Sequence, residues 1–236
     1  MIVLALETAT ELVGAAVADE SGVRACAWAA GRRRHAEALA PSVAHVCEQA
    51  GIALNEVTVV AVDVGPGLFT GLRVGVATAK GLAEGLGVGV VAATSLELLA
   101  VGALDAGVAG PVLAVVDARR AEVFAARYEA SGGPVPLELD PPRLWAPDAL
   151  AAALDPGPEG LIAVGDGAHR YAGLLGAVAG VTVAGPAARA PAPDALARLA
   201  LARLGSGGAA VPPAEVEPLY LRDADARSNW VQRSRR

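Results

Sequence analysis

The chain is short of the residues that usually carry chemistry or anchor a core. Among its 236 residues are three Trp, three Tyr and two Phe, two cysteines, three histidines and one lysine, Lys80. Cys26 and Cys47 form no CxxC pair, which argues against a disulfide framework and a thiolate metal site. His35, His45 and His169 have no i+3 or i+4 partner among themselves and no neighbouring cysteine, so no compact histidine metal motif can be built. No serine lies in a GxSxG elbow, and Lys80 sits in Ala-Lys-Gly rather than in a phosphate-binding GxxxxGK loop. A self-sufficient hydrolase, metalloenzyme or P-loop NTPase is therefore disfavoured, and no catalytic residue, metal ligand or cofactor is nominated. A long charge-free apolar run is also missing. The nearest approach, residues 171–188, contains four glycines, Thr182 and Pro186, and reads as a helix end followed by a short strand over 180–184 rather than a membrane span. Glu7 interrupts the amino-terminal apolar run after six residues and no basic leader precedes it, so the expectation is a cytoplasmic protein.

Aliphatic residues are what the chain has in excess. It is 54% hydrophobic with 28 glycines and 16 prolines, at a mean hydropathy of +0.46, which excludes intrinsic disorder. Nineteen basic against 25 acidic residues give a net charge of −6. That balance repels phosphate backbones and argues against strong autonomous nucleic-acid binding.

Read along the chain, IVLALE, VGAAVAD and VRACAW form a three-strand meander with a polar turn at Thr8–Glu11. Apolar positions Ala36, Leu39, Ala40, Val43, Val46 and Ala50 then fall at helical spacing and stop at Gly51. The branched run VTVVAVDV fits a strand covered on both faces. After GPG, residues 70–86 read as a helix capped by Thr70 and stopped by Gly87. The pattern then restarts. Residues 7–22 (ETATELVGAAVADESG) set against 117–132 (DARRAEVFAARYEASG) at a constant offset of 110 match in Val, Ala, Ala, Ser and Gly, each segment following five apolar residues. The shared unit is a strand, a carboxylate at its end, a tight polar turn and a returning strand, which indicates an internal duplication. Two α/β lobes follow, over residues 1–105 and 106–236. The second continues through PPRLWAP, a helix near 148–154, the strand LIAVG, GDG, and a final helix capped by Asp194 and stopped by Gly205. It ends in a basic tail over 222–236.

Gly65–Arg73 (GPGLFTGLR) sits between a buried strand and a helix start, where glycines permit positive φ and free helix N–H groups face outward. It lacks the GxGxxG spacing, since Thr70 stands at the required third glycine. Glu7, Thr8, Gly65, Gly67, Thr70 and Asp117 form a vestigial nucleotide-facing set between the lobes, weighed against a plain structural turn and solvated strand ends. Arg32, Arg33 and Arg34, with His35, are a candidate phosphate-contacting patch, weighed against a solvated helix entry. The helix over 70–86 is small and apolar nearly all round, the composition of a buried helix or of half an interface.

LALETAT at 4–10, His35 with Leu39 and Pro41, GPGLFTGLRVG at 65–75, AKGLA at 79–83, TSLELLA at 94–100, VVDARRAEVFAARY at 115–128, GDG at 165–167 and PLYLR at 218–222 resemble the TsaB (YeaZ) family in the same order over nearly the whole chain. The resemblance implies an actin/Hsp70-like (ASKHA) fold and a non-catalytic dimerisation subunit. Such a subunit pairs with TsaD and, with the ATPase TsaE, supports transfer of threonylcarbamoyl from threonylcarbamoyl-adenylate to N6 of the tRNA adenosine 3′ of the anticodon. It further implies self-pairing as the option without TsaD, tRNA contact through the complex, and a pairing surface on the first lobe's two helices. Leu39, Val43, Val46, Leu72, Val76, Ala79, Leu82 and Ala83 are the interface candidates. Two departures stand out: Leu68 where the family usually has Ser, and Glu7 where it usually has Asp. A nucleotide-dependent phosphotransferase, or a peptidase of the older glycoprotease naming, is the alternative.

Overall fold

In the computed structural model, residues 1–30 and 35–222 are described. The amino-terminal meander is β1 (Val3–Glu7), β2 (Leu12–Asp19) and β3 (Gly22–Ala30), paired antiparallel in sequence. Helix α1 (His35–Ala50), β4 (Val59–Asp63), α2 (Phe69–Leu86) and β5 (Gly89–Ala93) follow. They complete a sheet ordered β3-β2-β1-β4-β5. β1 and β4 are buried at every position, which is why both read as unbroken apolar runs rather than as alternating ones.

After α3 (Ser95–Asp105) the second lobe has β6 (Val112–Arg119), β7 (Glu122–Glu129), β8 (Leu137–Trp145), α4 (Pro147–Ala153) and β9 (Leu161–Val164). Then come α5 (Asp166–Arg170), α6 (Ala172–Leu175), β10 (Val181–Val183) and α7 (Pro193–Gly205). Its sheet order, β8-β7-β6-β9-β10, is that of the first sheet taken over strand for strand. The fold is two-lobed, and the duplication is a topological fact. The copies are offset in register by one residue. Glu7 pairs opposite Gly14, whereas Asp117 pairs opposite Val123 across a bulge between Asp117 and Arg119.

The strands separate cleanly along the chain, but the covering helices do not. α1 and α2 cover one face of the first sheet, and the other face is covered by Leu98 and Val101 of α3 together with Ala195, Leu196, Leu199 and Ala200 of α7. Leu96, Leu99, Ala100 and Ala103 of α3 pack against the second sheet instead. Held between two sheets, α3 needs no polar face. Beyond α7 the chain returns over the first lobe. Val211 bridges Val90 at the open edge of β5, Leu219 N–H donates to Val64 O at 2.7 Å, and Lys80 Nζ donates to Ala214 O (3.2 Å) and Val216 O (3.1 Å). The one lysine thus ties down a strap that protects a sheet edge.

Residues 137–145, to which the sequence pattern assigns no element, form a strand despite Pro141 and Pro142; β8 is an edge strand, where missing ladder donors are tolerated. Two local expectations need correction. Thr70 does not cap α2, because the N-cap is Leu68 and makes no side-chain cap bond. Asp194 lies inside the first turn of α7, whose N-cap is Ala192. No described helix is long and apolar enough to cross a membrane.

Candidate functional site: the inter-lobe cleft and the first-lobe helix pair

A cleft of 760 Å³ opens between the lobes, lined by Thr10, Glu11 and Trp28 on one side and Asp117, Arg119 and Arg170 on the other. On its second-lobe wall lies the carboxylate of Asp117, 5% exposed, whose Oδ2 accepts from Nη1 of both Arg119 and Arg170 at 3.0 Å. Oδ1 accepts the Arg119 backbone N–H at 2.9 Å, and the Asp117 N–H donates to Asp166 Oδ1 at 2.9 Å. Arg119 also reaches Glu11 Oε1 at 3.0 Å, so one guanidinium joins the two lobes. The turn that presents it holds Arg119, Arg120 and Ala121 at φ of 63°, 54° and 57°. Three consecutive non-glycine residues in the left-handed region cost roughly 1 kcal/mol each, a strain offset in part by the bonds Arg119 makes. Burial pushes the Asp166 carboxyl above its ordinary range, partly countered by the Asp117 N–H.

Of the six residues nominated to face a nucleotide, only Asp117 lines this cleft. Glu7 is fully enclosed, its Oε1 accepting the Ala9 N–H at 2.8 Å. Thr8 is buried and donates to Gly71 O at 2.8 Å. The glycines are required by the protein's own backbone rather than by a ligand. A Cβ on Gly67 would lie 2.2 Å from Ala9 O, and one on Gly65 would lie 2.8 Å from a Leu72 methyl. Thr70 is exposed on the first turn of α2. The turn after β4 therefore packs on the turn after β1, which closes the space the sequence reading left for phosphates. Among the described residues no three His, Cys, Asp or Glu side chains gather as metal ligands.

The interface candidates need a larger correction. Leu39, Val43, Val46, Leu72, Val76, Ala79 and Ala83 are all buried within their own lobe, and Leu82 packs partly buried against the same core. The sheet has to be covered, and the apolar stripe of each helix is turned inward to cover it. The exposed positions instead include Ala36, Glu37, Ala40, Pro41, Ala44 and His45 on α1, with Phe69, Thr70, Arg73, Ala77, Gly81 and Glu84 on α2. At one end of this face Phe69 and Tyr220 stand 49% and 47% exposed, their ring centroids 5.4 Å apart. The Arg73 guanidinium lies 3.8 Å above the Phe69 ring, a favourable cation–π geometry. Phe69 and Arg73 fall inside the GPGLFTGLR stretch, but only the strap brings Tyr220 to them. Arg32, Arg33 and Arg34 lie outside the described residues, as does the tail beyond Arg222; Arg222 itself pairs with Glu122.

Comparison with known proteins decides the family. A family model described as TsaD, tRNA N6-adenosine threonylcarbamoyltransferase, matches residues 29–140. An uncharacterised protein of Mycobacterium tuberculosis is 34% identical over 240 residues, covering 95% of this chain and 93% of that protein. The Escherichia coli tRNA threonylcarbamoyladenosine biosynthesis protein TsaB is 32% identical over 129 residues, 55% of each chain. The solved structure of YeaZ from Pseudomonas aeruginosa superposes with a TM-score of 0.81 at 27% identity, covering 93% of this chain and 99% of that one. The chain belongs to the TsaB (YeaZ) family. Against three curated TsaB proteins the matched segment spans about half of their length, 52–57%.

Proposed function

We propose that this chain acts in tRNA threonylcarbamoyladenosine biosynthesis as a non-catalytic scaffold that pairs with TsaD and works with TsaE. The observation that carries the reading is the state of the two strand-end carboxylates: Glu7 is enclosed and Asp117 is engaged by two guanidiniums. Neither presents a free carboxylate to the cleft, where a nucleotide-dependent enzyme of this architecture would need one. The exposed face of α1 and α2 supplies the pairing surface. It carries small residues at Ala40, Ala44, Ala77 and Gly81, which let partner helices approach closely, and it is edged by Phe69 and Arg73, residue types enriched at interface centres. tRNA is met through the complex, consistent with a net charge of −6.

The test is reconstitution on unmodified tRNA with threonylcarbamoyl-adenylate, omitting each component in turn. Product is expected with TsaD, TsaE and this chain together, and none from this chain alone. ATP or peptide hydrolysis by the isolated chain that disappears in Asp117→Ala would establish the phosphotransferase or peptidase alternative instead. For the pairing face, Ala44→Asp or Ala77→Asp should abolish co-elution with TsaD while leaving the thermal midpoint near wild type. Val76→Asp should unfold the lobe, because Val76 belongs to its core.

A further inference from the structure

Glu7 and Asp63 end two adjacent parallel strands, in a register that pairs Leu6 with Val62, and both are 0% exposed. Carried one residue further, that register sets Glu7 beside Asp63, close enough for each carboxyl group to act on the other. Protein donors account for one oxygen of each. Glu7 Oε1 takes the Ala9 N–H at 2.8 Å, while Asp63 Oδ1 takes the Gly65 N–H at 2.7 Å and the Ser95 hydroxyl at 2.8 Å. The other two oxygens, Glu7 Oε2 and Asp63 Oδ2, are buried with no protein donor. Ionised carboxylates only accept, so a hydrogen bond between them requires a proton.

Among the described residues no cation replaces that proton. α3 contributes Ser95 and Glu97, and Glu97 adds negative charge near Asp63. Glu97 is itself held by Arg203 of α7, at 2.5 and 2.6 Å. α1 contributes His35, whose Nε2 is engaged by Thr10 O at 2.8 Å. Two ionised carboxylates in contact, out of water and without a counter-charge, are strongly unfavourable.

We infer that Glu7 and Asp63 share a single proton at neutral pH, and that this proton is the clasp positioning the Gly65–Gly67 turn from which α2 starts. It satisfies both orphan oxygens at once. The bonds it joins run without a gap from α2 to α3. Leu68 N–H donates to Ala9 O at 2.7 Å, the Ala9 N–H donates to Glu7, Glu7 and Asp63 meet through the proton, and Asp63 takes Gly65 and Ser95. Ser95 N–H closes the circuit on Gly65 O at 2.9 Å. Glu7 and Asp63 are positioning residues that orient the proposed pairing helix.

The pH consequence follows from proton counting. Burial, and then the charge of Asp63, hold the Glu7 carboxyl well above the ordinary range, and burial pushes Asp63 up to about 6. An unfolded chain releases both protons near pH 4. Above that, the native pair holds more protons than the unfolded chain, so stability falls as pH rises until the pair releases its last proton.

The experiment compares thermal midpoints of the full chain and Glu7→Gln from pH 5 to 9 at constant ionic strength. Glutamine keeps a donor toward Asp63 and does not titrate. The variant should gain on the wild type by about 3–5 °C per pH unit for each proton the native pair still holds; parallel curves would overturn the inference. Infrared spectra of wild type labelled with 13C-glutamate and 13C-aspartate report the proton directly, whether or not the variant folds. An isotope-sensitive protonated-carboxyl band is expected at pH 7, and its absence overturns the shared proton. Stabilisation of wild type by millimolar magnesium at pH 8 that Glu7→Gln loses would assign the site to a cation and overturn it equally.

Discussion

At the ends of β1 and β6 the two lobes place a carboxylate at equivalent points of one topology, and the surroundings of the two differ. Glu7 has no cation beside it among the described residues, meets a second carboxyl, and is closed off by the turn after β4. Asp117 is almost as buried, yet it carries two guanidiniums and faces a cleft. The difference originates in the turns. The first, residues 8–11, holds two threonines, and Thr8 bonds back to the helix that follows β4. The second, residues 118–121, holds two arginines, one of which spans the lobes to Glu11. One copy of the unit has become a sealed core and the other an inter-lobe ion-pair junction.

The largest expected effects test what the copies still share. The turns after β4 and β9 each depend on a glycine that lets a backbone carbonyl come close: a Cβ would sit 2.2 Å from Ala9 O at Gly67 and 2.1 Å from Val115 O at Gly165. Gly67→Ala and Gly165→Ala should each cost about 3 kcal/mol or more, read as urea midpoints. If only one of them does, the two turns are not mechanically equivalent. The next effect separates them. Asp117→Asn removes the acceptor of two ion pairs whose arginines are 41% and 53% exposed, so a loss of about 1 kcal/mol is expected at low salt, shrinking in 1 M NaCl. Glu7→Gln moves stability the other way at alkaline pH, and salt should leave that difference unchanged because the pair is enclosed. A smaller loss, about 0.5 kcal/mol, is expected for Arg119→Ala, since Arg170 still covers Asp117. The readout there is easier lobe separation, as faster amide exchange in β6 and the start of β7.

How much of this was legible in the sequence depends on whether the signal is local. β1 and β4 show as apolar runs, α1 and α2 as stretches ending at Gly51 and Gly87, both with positive φ, and the duplication as a repeated strand-turn-strand. Long-range facts were not legible. Nothing near Glu7 announces Asp63, which lies 56 residues on and becomes its neighbour only through the parallel crossover. The interface candidates failed because the inward stripe of an amphipathic helix and a docking stripe have the same composition; only the position of the sheet decides which way Val76 and Ala79 point. β8 was hidden by Pro141 and Pro142, which its edge position excuses. Leu68 stands out only against the family's usual serine, and the structure gives that departure a physical meaning.

That meaning supplies the smallest prediction, and it returns to the two copies. α2 and α5 both start after a strand-end turn without a side-chain cap, at Leu68 and Gly165. Leu68 has φ −69° and ψ 117°, an extended geometry that suits an N-cap of any type, and its own N–H is already spent on Ala9 O. A serine there can accept from the free N–H of Thr70 or Gly71 without moving the backbone. The cap contributes about 1 kcal/mol, reduced by the apolar contact a half-buried leucine gives up, so Leu68→Ser should gain roughly 0.5 kcal/mol and raise the thermal midpoint by about 1–2 °C. Gly165 has φ 104°, with Val115 O where a Cβ would go, so Gly165→Ser should lose stability even though it adds the same hydroxyl. Opposite signs for one substitution at matching positions would show that the first turn tolerates a side chain where the second, packed against β6, does not; a loss at both would mean that the Leu68 contacts outweigh any cap.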